Sequence, residues 1–179
     1  MKKIVTTMLA AFAFSALLVP HSLKAQEDKT KLMAESKEAK SAFVKTDESM
    51  KNLFNNSYGY VIFPNIGKGA LVVGGAGGDG VVYEKGKQIG TAKITQVSVG
   101  AQAGAQTYRE IIFFENKEAL DRFKQNKVEF SGQASAVAVK SGESTNVKYR
   151  EGVQVYTQEI SGLMLEASIG GQKFTYHPL

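Results

Sequence analysis

Residues 58–87 read YGYVIFPNIGKGALVVGGAGGDGVVYEKGK, and this stretch decides the fold. Short runs of β-branched and aromatic residues, which favour strands, are cut repeatedly by glycine. Glycine inside a strand marks a bulge, a bend, or the close approach of another backbone or a ligand. The stretch therefore predicts a strongly curved sheet with few bulky side chains on one of its surfaces.

The same stretch places Gly75, Gly77 and Gly80 at the spacing of the dinucleotide-binding fingerprint. That chemistry requires a helix directly after the glycines, because the helix N-terminus binds the pyrophosphate. Residues 81–83 are instead Val-Val-Tyr, which predicts a second strand. No acidic residue follows about twenty residues on, where the fingerprint places the ribose ligand. We therefore expect residues 75–80 to lie in or between antiparallel strands and to bind no nucleotide.

The first 25 residues have the pattern of a secretory signal peptide. Lys2 and Lys3 precede an uncharged apolar stretch from Ile4 to Val19, and the segment ends in the small residue Ala25. We expect cleavage after Ala25, which would leave residues 26–179 as one soluble or peripheral domain in the periplasm or outer envelope of a bacterium. The alternative is a retained N-terminal anchor. The chain has no cysteine, which excludes a lipoprotein anchor on cysteine, disulfides and thiolate chemistry.

Charge gives little support to a nucleic-acid partner. The formal net charge of the full chain is +5, but removal of residues 1–25 takes away three lysines and no acid and leaves +2. Nucleic-acid binding usually requires a strong basic stripe. Residues 26–56 carry six lysines and six acids, whereas a helix that binds anionic membranes has an excess of basic residues. This segment is therefore better explained by an ordinary solvated face.

The period of the hydrophobic pattern divides the chain after residue 25 into four segments. Residues 26–56 lack Gly and Pro and predict helices, and residues 58–115 switch to the period of two that is typical of strands. Residues 116–127 predict one further helix, and residues 131–179 predict a second block of strands. The fold class that follows is α+β, with N-terminal helices followed by a curved, glycine-rich antiparallel sheet that forms a meander or a partial barrel.

Caps and turns are predicted within these segments. Thr46 or Asp47 is expected to cap a second N-terminal helix, and Asn116 is expected to cap the later helix. Residues 162–169 are expected to form a strand, and Gly170-Gly171 a two-residue hairpin turn after it.

The linked glycine motifs resemble those of the SYLF domain, also called the Ysc84 or Las17-binding domain. In chain order, the residues that carry the resemblance are Tyr58–Pro64, Lys68–Gly69, Gly74–Val81, Ser98–Gln106, Glu110–Phe114 and Gly162–Gly171. Together they cover nearly the whole chain after residue 25. Family members often carry a tryptophan-centred motif after the glycine hairpin. This chain has no tryptophan, and Gly90–Ala92 occupies the comparable stretch.

The resemblance implies lipid binding. Eukaryotic members of the family are similar to phosphoinositide-binding modules, and some bind or bundle actin. Bacterial members are exported and are described as lipid-binding proteins. Actin is an implausible partner for an exported bacterial protein, so we expect the partner to be a phospholipid or a membrane surface.

Two sets of basic residues are candidate lipid contacts. One set lies in turns that flank the glycine strands, and the other lies on the helix after residue 114. The sets are Lys68, Lys85 and Lys87, and Arg122, Lys124 and Lys127. Either set would meet a lipid phosphate by charge, at about 1 kcal/mol per residue near a membrane surface. The alternative for each residue is an ordinary solvated surface charge.

A groove of small side chains is a third candidate. Residues 97–106 alternate, with Val97, Val99 and alanines on one face and Ser, Gln, Gly100 and Gly104 on the other. Such a face leaves room beside the backbone for an acyl chain or a headgroup.

No residue pattern predicts catalysis, a metal or a cofactor. His177 is the one histidine after residue 25, which is too few for a metal site with His and Cys ligands. Asp79, between two glycines, is interpreted as a turn residue rather than a catalytic acid. We therefore expect a non-enzymatic lipid-binding module of the cell envelope. The alternative is a structural or protein-interaction role in the periplasm.

Overall fold

The computed structural model describes residues 20–67, 75–97, 107–128, 137–139, 148–161 and 171–179. These residues form three helices and seven strands, which confirms the predicted α+β class. The helices are α1 (Pro20–Thr46), α2 (Met50–Asn56) and α3 (Lys117–Lys124). The strands are β1 (Gly59–Gly67), β2 (Gly75–Glu84), β3 (Lys87–Val97), β4 (Thr107–Phe114), β5 (Val137–Ala138), β6 (Val153–Ser161) and β7 (Gln172–Pro178).

The chain divides into a unit of residues 1–31 and a unit of residues 32–179, and the second unit contains all the described strands.

The second helix, α2, begins about one turn later than the sequence predicts. The cap position is Ser49 rather than Thr46 or Asp47. Asp47 Oδ1 instead accepts hydrogen bonds from the Ser49 backbone N–H at 2.9 Å and from the Ser49 hydroxyl at 2.7 Å. Among the described helices, none is long and apolar enough to span a bilayer.

The strands form one sheet in the order β5-β6-β4-β1-β2-β3-β7. The six longer strands pair antiparallel, and the two-residue β5 pairs parallel to β6. Gly75 to Gly80 lie inside β2, between β1 and β3, which confirms the strand prediction for the fingerprint-like glycines. Asp79 therefore lies in a strand, and its interpretation as a turn residue is wrong. The turn comes at Lys85 and Gly86, whose φ angles of 49° and 76° suit a two-residue hairpin.

Two glycines allow bulky groups to approach the sheet closely, as the sequence predicts. A Cβ at Gly80 would lie 2.6 Å from Phe63 Cδ1, so the Phe63 ring lies directly over this glycine. A Cβ at Gly59 would lie 3.0 Å from Leu120 Cδ2, so this glycine lets α3 approach β1. The pairing of β1 with β4 also shifts register after Phe63, next to Pro64, which has no N–H to donate.

The sheet curls strongly towards one face. In a flat sheet, four strand spacings would separate β4 from β7 by about 19 Å. Gln172 Nε2 of β7 nevertheless lies 2.9 Å from Glu110 Oε2 of β4. The rings of Phe63 in β1 and Phe174 in β7 are 6.0 Å apart between centroids. The face that carries these side chains is therefore concave, while β5 and β7 remain the two edges of an open sheet.

Each face of the sheet has its own apolar core. On the concave face, Phe123 of α3 packs on Phe114 and Phe174, with ring centroids 5.1 and 5.4 Å away. On the other face, α1 and α2 contribute buried side chains such as Phe43 and Phe54. The start of α3 is capped as predicted, because Asn116 Oδ1 accepts a hydrogen bond from the Ala119 N–H at 3.0 Å.

Several predictions concern residues outside the described ranges. They are the apolar stretch Ile4–Val19, Lys68, the alternating residues 98–106 with Gly100 and Gly104, the strand 162–169, and Gly170. The strand that follows, β7, pairs with β3.

Candidate functional site

Two of the predicted turn lysines lie at one end of the sheet. Lys85 and Lys87 flank the β2–β3 turn, next to the paired residues Gly59 and Glu84. Gly67, the residue before Lys68, lies at the other end of β1, roughly 25 Å away along an extended strand. Lys85 and Lys87 therefore share one end of the sheet, and Lys68 lies outside the described residues.

The helix set of basic residues comes to the same end as the β2–β3 turn. Lys124 Nζ lies 2.9 Å from Glu84 Oε2 and 3.7 Å from Asp121 Oδ1. Arg122 donates a hydrogen bond to the backbone carbonyl of Glu151. Arg122 and Lys124 are therefore bound by neighbouring groups of the protein itself.

Three lysines at this end are exposed and have no acidic partner among the described residues. We call Lys85, Lys87 and Lys127 the lysine corner. Lys85 Nζ lies 5.1 Å from the centre of the Tyr58 ring, which orders the side chain without neutralising its charge. The Lys124–Glu84 ion pair joins α3 to the β2–β3 turn, and Lys127 follows three residues after Lys124.

A cluster of polar side chains lies on the concave face at the opposite end. We call Gln96, Tyr108, Glu110, Thr157 and Gln172 the inner polar cluster. Glu110 of β4 is paired with Thr157 of β6, and Gln96 of β3 with Gln172 of β7, so partners share a face. The Tyr108 hydroxyl donates to Gln96 Oε1 at 2.8 Å, and Gln172 Nε2 donates to Glu110 Oε2 at 2.9 Å.

Three oxygens of this cluster are buried and have no hydrogen-bond partner among the described residues. They are Glu110 Oε1, Thr157 Oγ1 and Gln172 Oε1. Glu110 and Thr157 are 0% exposed, and Gln172 is 1% exposed. A buried polar atom without a partner costs about 1–3 kcal/mol, so this arrangement destabilises the protein unless another group supplies the donors.

Burial controls the titration of the cluster. It raises the pKa of Glu110 to about 8, and the hydrogen bond from Gln172 opposes that shift. It also raises the pKa of Tyr108, and the neighbouring charge of Glu110 adds to the effect. A group that binds here and carries positive charge would stabilise the ionised carboxylate.

Sequence reasoning missed this cluster, although one signal was present. Residues 108–114 form an apolar strand, and Glu110 is the acid on the same face as Ile112 and Phe114. A carboxylate on the buried face of a strand requires a partner. Its neighbours Thr157 and Gln172 come from other strands, and no spacing along the chain connects them.

The other titratable candidates do not form a site. His177 lies exposed on β7, and Asp79 is paired with Lys93 at 3.9 Å on the surface. In the described ranges, no three histidine or acidic side chains come together as a metal site requires.

Comparison with known proteins identifies the class. Residues 95–177 match the family model described as Ysc84, Las17-binding protein actin regulator. This segment contains all five members of the inner polar cluster. Residues 95–177 are therefore similar to the SYLF family, which confirms the resemblance found in the glycine motifs. The family is not a known enzyme family.

A curated relative is Beta cell expansion factor A of Aeromonas veronii. It is 29% identical over 126 residues, which are 70% of this chain and 48% of that protein. The chain thus spans about half the length of this relative.

Proposed function

We propose that this protein is a non-enzymatic lipid-binding module of the bacterial cell envelope, and that the lysine corner binds anionic phospholipid headgroups. The observation that carries the proposal is that Lys85 and Lys87, which flank the β2–β3 turn, and Lys127, which follows α3, are exposed and have no acid among the described residues paired to them. Similarity to the SYLF family supports the lipid class of ligand, as the resemblance implies.

Two basic residues of α3 are left out of the proposed contact set. Lys124 is paired with the Glu84 carboxylate, and the Arg122 guanidinium donates to the backbone carbonyl of Glu151, so both side chains are engaged within the protein. Each remaining lysine contributes about 1 kcal/mol near an anionic surface. The three together supply up to roughly 3 kcal/mol, which is about a hundredfold in affinity.

Flotation with lipid vesicles tests this proposal. We would replace Lys85, Lys87 and Lys127 together by Gln and measure binding to vesicles that contain phosphatidylglycerol in phosphatidylcholine. The matched control is Lys37, Lys45 and Lys51 replaced by Gln, since these exposed lysines lie on α1 and α2, on the other face of the sheet. Both variants lose three positive charges. They differ in the position of those charges and in the loss of the Lys51–Glu48 ion pair from the control.

The proposal predicts that the corner variant binds at least tenfold more weakly and that the control binds like the parent. Equal loss of vesicle binding in both variants would show a general effect of charge and would contradict a specific role of the lysine corner. Binding that ignores salt and headgroup charge would instead favour the apolar groove predicted at Gly100 and Gly104. Absence of binding to every vesicle would leave the protein-interaction role in the envelope as the better account.

A further inference from the structure

We infer that the inner polar cluster is a binding site for a primary ammonium group, carried by a small amine or by an amine-bearing lipid headgroup. The inference is independent of the lysine corner, because it uses none of the corner's residues. Glu110 pairs with Phe63 of β1, four residues or roughly 13 Å along the strand from Gly59 at the corner. It rests on the three buried oxygens without a described partner: Glu110 Oε1, Thr157 Oγ1 and Gln172 Oε1.

These oxygens belong to side chains that neighbour one another on the concave face. Gln172 Nε2 lies 2.9 Å from Glu110 Oε2, which holds the two side-chain ends together. Thr157 lies directly opposite Glu110 in the β4–β6 register, where side chains on one face are about 5 Å apart. Phe63, which pairs with Glu110 on β1, has no polar side-chain atom, so it offers no hydrogen bond to the Glu110 carboxylate.

The number and kind of these atoms match a primary ammonium. Such a group has three N–H donors in a compact head and no acceptor, and the cluster presents three acceptors, one of them on a carboxylate. A guanidinium is larger and has five donors. A hard metal ion such as Ca²⁺ takes six or more oxygen ligands, twice the number available here. An ammonium group paired with the Glu110 carboxylate would also remove the free-energy cost of burying that carboxylate without a counter-ion.

The described residues that border the cluster differ in bulk. On one side, α3 covers the concave face, with Phe123 packed on Phe174. On the other, Ala76 of β2 and Gln96 of β3 are partly exposed, whereas Asn65 and Ile66 of β1 lie against Gly78. Because Glu110 is 0% exposed, binding of an amine requires side chains around the cluster to move, and we expect the amine to enter beside Ala76 and Gln96.

Calorimetric titration of the full chain with ethanolamine and with choline tests the inference. Both probes are cationic, but choline has a quaternary nitrogen without an N–H. We expect saturable binding of ethanolamine and at least tenfold weaker binding of choline, since the site is built from hydrogen-bond acceptors. Equal binding of the two probes, or no binding of ethanolamine, would overturn the inference.

Three variants locate the site. Glu110→Gln keeps the shape of the side chain but removes its charge, and we expect it to abolish binding of ethanolamine. Thr157→Val removes one acceptor at constant shape and should weaken binding about threefold or more. Glu159→Gln removes an exposed carboxylate from the same strand and should bind like the parent. Thermal unfolding of each variant shows whether it is folded, and unchanged binding in a folded Glu110→Gln variant would contradict the site.

A short-chain phosphatidylethanolamine identifies the source of the amine. Tighter binding of dihexanoyl phosphatidylethanolamine than of ethanolamine supports the site with a lipid headgroup as its ligand. Equal affinity supports the site with a free amine as its ligand. Vesicle binding through the lysine corner is measured separately, so the inference and the proposed function fail independently.

Discussion

Gln172 of β7 donates a hydrogen bond of 2.9 Å to Glu110 of β4, although three strands lie between them in the sheet. This hydrogen bond shows that the sheet is strongly curled, because in a flat sheet the two side chains would be too far apart to meet. The carboxyl group of Glu110 is buried beside other polar groups, and several oxygens of this cluster have no hydrogen-bond partner among the described residues. The curvature of the sheet therefore also brings together the residues of the candidate amine site.

The first prediction concerns the pH dependence of stability. Burial raises the pKa of Glu110 from its ordinary value of 4.5 to about 8. Between these values the folded state binds the proton more tightly than the unfolded state, so the free energy of unfolding falls as pH rises. The penalty is complete above about pH 8 and amounts to roughly 3–5 kcal/mol. Among the described residues, Tyr108 is the other titratable group in this cluster.

Glu110→Gln removes this titration. We expect the variant to match the parent near pH 5 and to exceed it in stability at pH 8 to 9, as measured by urea unfolding. Glu159→Gln serves as the control, since it alters an exposed carboxylate on β6. A parent protein whose stability does not change between pH 5 and 8 would show that Glu110 is not a buried acid.

The second prediction tests the close approach at Gly80. In Gly80→Ala the new methyl group would lie 2.6 Å from Phe63 Cδ1 and 2.8 Å from the Ile62 carbonyl oxygen. Because the second contact is with backbone, we expect a loss of about 1–3 kcal/mol in the free energy of unfolding. Gly86→Asn is the control: nothing lies within 4 Å of that position, and Asn tolerates its positive φ. Similar stability of the two variants would contradict the packing described for β1 and β2.

The third prediction concerns the helix that joins the lysine corner to the sheet. Asn116→Ala removes the acceptor for the Ala119 N–H, and we expect a loss of about 1 kcal/mol. Asn116→Asp keeps the acceptor and should retain most of the stability. Chemical denaturation distinguishes the two, and an equal loss in both would mean that the cap bond contributes little.

The sequence predicts the elements of this fold better than their arrangement. Glycine-cut apolar runs identify β1 and β2, and an Asn before an amphipathic segment identifies α3, because these signals are local. The pairing of β7 with β3, and of β4 with β1, depends on contacts between distant segments and has no local signal. The turn predicted at Asp79 is wrong for the same reason, since strand pairing overrides the turn preference of an Asp between glycines.

The candidate sites, too, can be predicted only in part from local sequence signals. Lys85, Lys87 and Lys127 are visible in the sequence as basic residues, but their selection requires knowing that Glu84 already binds Lys124. The inner polar cluster depends on the curl that brings Gln172 to Glu110, and that curl is a property of the whole sheet.

Binding of the parent protein to vesicles at two salt concentrations tests the central claim most directly. Vesicles of phosphatidylglycerol in phosphatidylcholine are compared with vesicles of phosphatidylcholine alone, at about 50 and 300 mM salt. We expect tighter binding to the anionic vesicles and a clear loss at high salt, because screening shortens the reach of surface charge below about 10 Å. Failure to bind vesicles of either composition at low salt would contradict the lipid-binding function.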